Sequence, residues 1–289
     1  MPDPESVVDL TDTLLAGGYL ADRGLATAMY VAMSLRRPVL LEGEVGVGKT
    51  EIAKVIAARY ERELIRLQCY EGIDTNQALY EWDYARQLLH IRALSEHQLA
   101  DDAAIDTLFG PKFLLERPLL RAVRAGGSAV LLIDEIDRAD DEFEAFLLEL
   151  LSDFQISIPE IGTIAATEPP LVILTSNRTR ELHDALKRRC LYHWIDYPSR
   201  EREVEIVLLR EPKVARALAE KVVAAVHRLR ELELAKPPGV AETIDWARTL
   251  EFLGETDLTP AAADATIGTV VKEHDDLTMV RANLDELAG

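Results

Sequence analysis

Cysteine is nearly absent from this chain of 289 residues, with only Cys69 and Cys190. Two thiols so far apart in sequence exclude a disulfide framework and the paired spacing of a zinc site, and each is expected to be a small buried apolar residue. Histidine is also scarce. His90, His97, His183, His193, His227 and His274 show no metal-ligand spacing. No apolar run reaches the length of a membrane span, and the start MPDPESVVDL lacks a basic stretch followed by an apolar one. The expectation is therefore a cytoplasmic protein. Positive charge is the third shortage: 32 basic residues face 51 acidic ones, for a formal net charge of -19. Such a surface repels phosphate backbones and disfavours non-specific binding of nucleic acid. Lys187, Arg188 and Arg189 are a local exception that could line a pore or an interface after assembly.

What is present points to an α/β fold. In the first half, helical patterns alternate with short apolar runs, the mark of a parallel sheet covered by helices. Pro38 to Leu41, Leu64 to Leu67, Ala129 to Ile133 and Leu171 to Thr175 read as strands, with Tyr192 to Ile195 as a fifth. Asp22 is placed to cap a helix running through Leu35, and an earlier helix is expected over about Glu5 to Ala16. Phe154 to Ala166 has two β-prone arms around Pro159 to Gly162 and reads as a hairpin inserted after the helix Glu142 to Leu151. Asp74 to Asp106 reads as long and mostly helical, its aromatic residues Tyr80, Trp82 and Tyr84 as core packing. Beyond Pro198 the strand signals stop. Helices are expected over Glu201 to Arg210, Val214 to Leu232, Ala241 to Leu253, Pro260 to Lys272 and Leu277 to Leu287. The predicted division is a nucleotide-binding core over residues 1–198 and a helical domain over residues 199–289.

Gly43-Glu44-Val45-Gly46-Val47-Gly48-Lys49-Thr50 fits the phosphate-binding pattern G-x-x-x-x-G-K-[ST] and falls between a strand and a helix, where that pattern must lie. Average residue frequencies give about one accidental match per hundred chains of this length before that context is required. The glycines let successive N–H groups turn toward the phosphates, and the following helix directs its positive end at them. Lys49 would reach the β and γ phosphates, and the Thr50 hydroxyl would bind magnesium. ATP and Mg2+ are the implied cofactors.

Val130 to Ile133 is an apolar run that delivers Asp134 and Glu135 at its carboxyl end. Asp134 would hold magnesium through its waters, and Glu135 would orient and deprotonate the attacking water. Taken by itself the pair reads as a cap on the next helix, and the phosphate loop tips it toward the metal-binding role. Asn177, closing LVILTSN, could hold the same water or could simply form a turn. Arg188 and Arg189 follow the helical stretch Glu181 to Lys187. Either could stabilise transition-state charge on a neighbour's γ phosphate, or could merely complement a helix end. Arg138, in DEIDR, is a further interface candidate.

The order of GEVGVGKT, VLLIDE, TSN and KRRC before an all-helical tail resembles an AAA+ ATPase. More closely, LQCYEGIDTNQALYEWDYARQLLHIRA, DEIDRAD and GVAETIDWAR resemble the MoxR group, in the branch found beside aerobic carbon monoxide dehydrogenase and related molybdenum hydroxylases. The resemblance runs from about Asp22 to Leu253. It implies an AAA+ P-loop core with a parallel five-stranded sheet and an all-helical lid. It further implies a hexameric ring with ATP at subunit interfaces, remodelling or maturing a metalloenzyme client beside a von Willebrand factor A domain partner. Lys49 and Thr50 then correspond to Walker A, Asp134 and Glu135 to Walker B, and Asn177 to sensor one. Arg189 corresponds to the arginine finger, with Arg188 in reserve. The family's helix-two insert would lie within about 80–108 and its pre-sensor hairpin within about 154–166, both facing the pore. One departure stands out: the lid helix near Ala241 lacks the Ser-Pro-Arg turn that supplies sensor two in many relatives. Thr243 stands there, and Arg248 lies further along the same helix. The rival readings are a nucleotide-dependent DNA motor and a monomeric P-loop kinase.

Overall fold

The computed structural model describes residues 3–93 and 108–284. The chain divides into two compact units that are not successive in sequence. One contains residues through Thr13, Asp22–Glu42 and Ala53–His193; the other contains Leu14–Ala21, Gly43–Ile52 and the chain from Trp194 onward.

In the first unit, helices α1 (Val7–Ala16) and α2 (Arg23–Leu35) precede strand β1 (Val39–Gly43). Asp22 caps α2 as expected, its carboxylate accepting from the Leu25 N–H at 2.7 Å. Helix α3 (Lys49–Arg59) leads into β2 (Glu63–Gln68). The sheet is completed by β5 (Ala129–Asp134), β8 (Leu171–Ser176) and β9 (Leu191–Ile195), in the order β2-β5-β8-β1-β9. The pairs β2/β5, β5/β8 and β8/β1 are parallel. Every residue of β1, β5 and β8 is buried, which explains why these strands read as unbroken apolar runs rather than alternating ones. Their parallel course brings Glu42, Asp134 and Ser176 to the same edge of the sheet, where open α/β sheets bind ligands.

The hairpin is as expected: β6 (Gln155–Ile158) pairs antiparallel with β7 (Gly162–Ala165), after helix α7 (Asp141–Asp153). The region after Asp74 departs from its expected helical course. Following the single turn α4 (Thr75–Ala78), Tyr80–Trp82 is a strand, β3, paired antiparallel with β4 (Leu114–Glu116). Alternating Tyr80 and Trp82 favour a pleated, half-buried surface, and Trp82 packs edge-on against Phe109 with ring centroids 5.5 Å apart. Helix α5 (Tyr84–Ala93) follows; residues 94–107 of the predicted insert lie outside the described residues. Helix α6 (Pro118–Ala125) then leads to β5, and α8 (Asp184–Arg189) to β9. One hydrophobic core, running from Leu40 to Cys190, holds this unit together.

The second unit has its own core, built around Val207, Val222, Val226, Trp246 and Leu250. Helices α9 (Arg200–Arg210), α10 (Arg216–Glu231) and α11 (Val240–Phe252) match the expected segments within a few residues. Helix α12 (Pro260–Thr266) is shorter than predicted and tightens into a 3-10 turn at Ile267–Thr269. The last helix, α13 (His274–Arg281), starts earlier than predicted, and the end of the predicted segment lies outside the described residues. Among the described residues no helix is long and apolar enough to cross a membrane.

Candidate nucleotide site

The phosphate loop, Gly43 to Thr50, belongs to the second unit. It leaves β1 through Gly43, where a Cβ would lie 2.2 Å from the Ile195 carbonyl oxygen, so no side chain fits. Gly46 and Gly48 have φ of +78° and +94°, a region that favours glycine. Lys49 is buried, and its ammonium donates to the carbonyls of Gly43 at 2.7 Å and Glu44 at 2.6 Å. The lysine is thus drawn across its own loop. Thr50 follows in the first turn of α3, whose N-terminus opens on the loop. A cavity of about 190 Å³ adjoins Gly46 and Gly48, walled by Tyr19, Leu20, Ile206 and Val240. Arg210 on α9 reaches into its rim and pairs with Glu51 on α3 at 2.9 Å. A largely apolar slot beside a phosphate loop is where a nucleobase would lie.

The acids belong to the first unit. Asp134 is buried, one oxygen accepting from the Thr175 hydroxyl at 2.5 Å and the other from Arg66 Nε at 3.1 Å and Nη2 at 2.5 Å. The Thr175 oxygen also accepts the Glu135 N–H at 3.0 Å, so a single hydroxyl on β8 fixes two successive residues at the end of β5. Glu135 is in the left-handed region, φ 55°, and its carboxylate pairs with Arg138 at 2.9 Å. Asp137, buried, accepts the N–H groups of Asn177 at 3.2 Å and Thr179 at 2.9 Å and the Thr179 hydroxyl at 2.7 Å. The segment after Glu135 thereby anchors the loop that carries Asn177.

Arg180 continues this linkage by donating to the Ala139 carbonyl and pairing with the buried Glu144. Glu144 also accepts the His183 N–H at 2.9 Å, immediately before α8. Arg188 and Arg189, at the end of α8, are exposed, as is Arg138. The carbonyls of Arg188 and Arg189 accept from Arg37 at 3.5 and 3.3 Å.

Cys69 and Cys190 are buried, as expected. Burial, reinforced by the charges of Asp134, Asp137 and Glu135, pushes the Cys69 thiol up to about 12, and burial raises Cys190 to about 12. Both are neutral and unreactive at ordinary pH. Among the described residues no cluster of His, Cys, Asp and Glu could hold a metal by itself. A magnesium ion carried by a nucleotide needs fewer protein donors than a free metal site.

Sequence reasoning missed Thr175, Arg66, Asp137 and Glu144. Thr175 carried a legible signal, a hydroxyl near the end of a buried apolar strand; the burial of Asp137 and Glu144, and the reach of the exposed Arg66 to Asp134, only the fold reveals. Arg248 pairs with Glu211 at the lid surface, with Asp245 at 3.4 Å, so it is an exposed helical arginine.

The AAA domain family, in its dynein-related subfamily, matches residues 38–190, more than half of the chain. The chain belongs to that family. It is an AAA+ P-loop ATPase, as its motif order suggested, of the MoxR type that the segments from LQCYEG to GVAETIDWAR resemble. It is 25% identical over 213 residues to the denitrification regulatory protein NirQ of Pseudomonas aeruginosa, covering 71% of this chain and 72% of that protein. It is 26% identical over 260 residues to the gas vesicle ATPase GvpN1 of Halobacterium salinarum, covering 84% and 71%. To the protein NorQ of Paracoccus denitrificans it is 27% identical over 203 residues, covering 68% and 66%. Among solved structures, a point mutant of Thermotoga maritima RuvB matches with a TM-score of 0.51 at 18% identity, covering 91% of this chain and 72% of that one. This likeness concerns the AAA+ fold.

Proposed function

We propose that the chain hydrolyses ATP at the interfaces of a homo-oligomeric ring, hexameric by resemblance, and uses the cycle to remodel a client protein. The observation that carries this reading is the pair Asp134 and Glu135, held at the ligand-binding edge of the sheet by Thr175. The phosphate loop follows β1 directly in the chain.

In this reading the loop amides and Lys49 would grip the phosphates, and Thr50 and Asp134 would hold magnesium. Magnesium would neutralise charge on the phosphates. Glu135, released from Arg138, takes a proton from the attacking water, and Asn177 orients that water. Arg189, with Arg188 in reserve, reaches a neighbour's site from the exposed end of α8. The core and lid would divide near residue 198. Parts of residues 80–108 and the β6/β7 hairpin would face the pore.

The client is proposed to be a metalloenzyme of the molybdenum hydroxylase kind, assisted by a von Willebrand factor A domain partner in the cytoplasm. What supports this is the resemblance of the segments from LQCYEG to GVAETIDWAR. Replacing the base tests the chemistry. Glu135→Gln should keep ATP binding while turnover falls by about 10²–10⁴-fold. The stalled ring then serves to capture the client with ATP present, and full turnover in the variant removes Glu135 from the mechanism.

A further inference from the structure

In the second unit, the tip of the phosphate loop touches the start of α11 with no side chain between them. A Cβ on Gly239 would lie 2.7 Å from Gly46 Cα and 2.8 Å from the Val45 carbonyl oxygen; a Cβ on Gly46 would lie 2.9 Å from Gly239 Cα. The Val240 N–H donates to the Gly46 carbonyl at 3.0 Å. Val240 is the first residue of α11, and its N–H has no acceptor within the helix, so the loop supplies one.

This junction rests on a buried charged assembly. Arg230 on α10 donates through Nε to the Pro238 carbonyl at 2.7 Å and through both terminal nitrogens to Glu203 on α9 at 2.7 and 2.8 Å. Glu203, fully buried, also accepts the Thr243 hydroxyl at 2.6 Å and meets His227 Nε2 at 2.9 Å. Arg230 lies 4.3 Å from the centroid of the Tyr197 ring as well. Three lid helices are thus tied to the carbonyl that immediately precedes Gly239.

The first turn of α11 holds no basic side chain to meet a phosphate. Its charged residue is Glu242, whose carboxylate accepts the Gly239 N–H at 3.0 Å and would lie 3.2 Å from a Cβ at Gly46. We propose that in this chain the lid senses the phosphates through a backbone clasp, Gly46 against Gly239–Val240, positioned by the Glu203–Arg230 pair, in place of a basic sensor side chain. The mechanism follows from peptide geometry. In a trans peptide the C=O and the next N–H point in opposite directions. The bond from Val240 therefore fixes the Gly46–Val47 peptide with the Val47 N–H turned away from the lid. A phosphate that accepts from Val47 polarises the same peptide and strengthens its bond to Val240. Phosphate occupancy and lid closure are then linked through one peptide plane.

The inference rests on the reading of the loop as a nucleotide site, and its test separates the two. Amide exchange followed by NMR on the wild-type chain should find the Val240 N–H protected without nucleotide, and more protected with Mg-ADP. Gly239→Ala has an ordinary φ of -84° at the substituted position, so its cost is the collision with Gly46. It should abolish that protection and weaken ADP binding about tenfold while the lid core stays folded. Arg230→Lys keeps the charge but loses the fork, and should fall between the two. A Val240 amide that exchanges as a free peptide in the wild type overturns the clasp, whatever the variants do. So does a folded Gly239→Ala variant that binds ADP as the wild type does. A wild-type chain that binds no nucleotide yet protects Val240 refutes the nucleotide reading of the loop instead.

Discussion

The two units present their functional groups by different means. In the first, side chains do the work at the ends of buried strands: Asp134 and Glu135 are fixed by the Thr175 hydroxyl, and Asn177 by Asp137. In the second, the backbone does it. Glycines at 43, 46 and 48 shape the loop, carbonyls hold Lys49, and a main-chain bond joins Gly46 to the lid. The side-chain arrangement depends on particular hydroxyl and carboxylate groups; the backbone arrangement depends on the positive φ and close approach that glycine allows. The charged support differs too. Glu203 and Arg230 are buried together behind the lid junction, whereas Glu135 and Arg138 meet in partly solvated surroundings, at 31% and 56% exposure.

That contrast sets the expected order of stability effects. Arg230→Met leaves the carboxylate of Glu203 buried without its guanidinium, at a cost of about 3–5 kcal/mol. Urea unfolding followed by amide exchange should place the loss in the lid helices. Arg138→Met, by comparison, should change stability by about 1 kcal/mol or less, because a partly solvated pair contributes little; an equal loss in both variants would erase the distinction. Next comes Thr175→Val, nearly isosteric. It strips partners from the Asp134 carboxylate and the Glu135 N–H together, a loss of about 1–3 kcal/mol located in the first unit. A variant as stable as wild type would show that Thr175 does not brace the acids.

A further effect concerns pH, and it also distinguishes the units, since Cys69 and Cys190 both lie in the first. Their thiols are raised in the folded state from 9.0 to about 12. Their contribution to stability is fully present below pH 9 and is lost as pH rises toward 12, because the unfolded chain releases those protons first. Cys69→Ala with Cys190→Ala should flatten the alkaline decline of the first unit and leave that of the second unchanged.

The same contrast explains what could be read from the sequence. The five strands of the sheet, the Asp22 cap and the β6/β7 hairpin were legible because apolar runs and turn residues act locally. The strand, loop and helix around Gly43 to Thr50, and the place of Asp134 and Glu135 at the end of an apolar strand, were legible because those patterns are short and local. The β3/β4 pairing was not, because Tyr80–Trp82 finds its partner at Leu114–Glu116, more than thirty residues on. The bracing by Asp137 and Glu144 was hidden for the same reason, as their partners follow β8. The meeting of Gly46 with Gly239 was hidden more deeply. Two glycines far apart in sequence are silent until the fold places their Cα atoms together.

The central claim is that Gly43 to Thr50 grips a polyphosphate through its amides and Lys49. Titration calorimetry of Mg-ATP into the wild-type chain and into Lys49→Ala tests it most directly. Loss of the ammonium removes charge-assisted bonds of about 1.5–3 kcal/mol each, so the variant should bind at least tenfold more weakly. Equal affinity in the two proteins, or no heat of binding from a properly folded wild type, would contradict it.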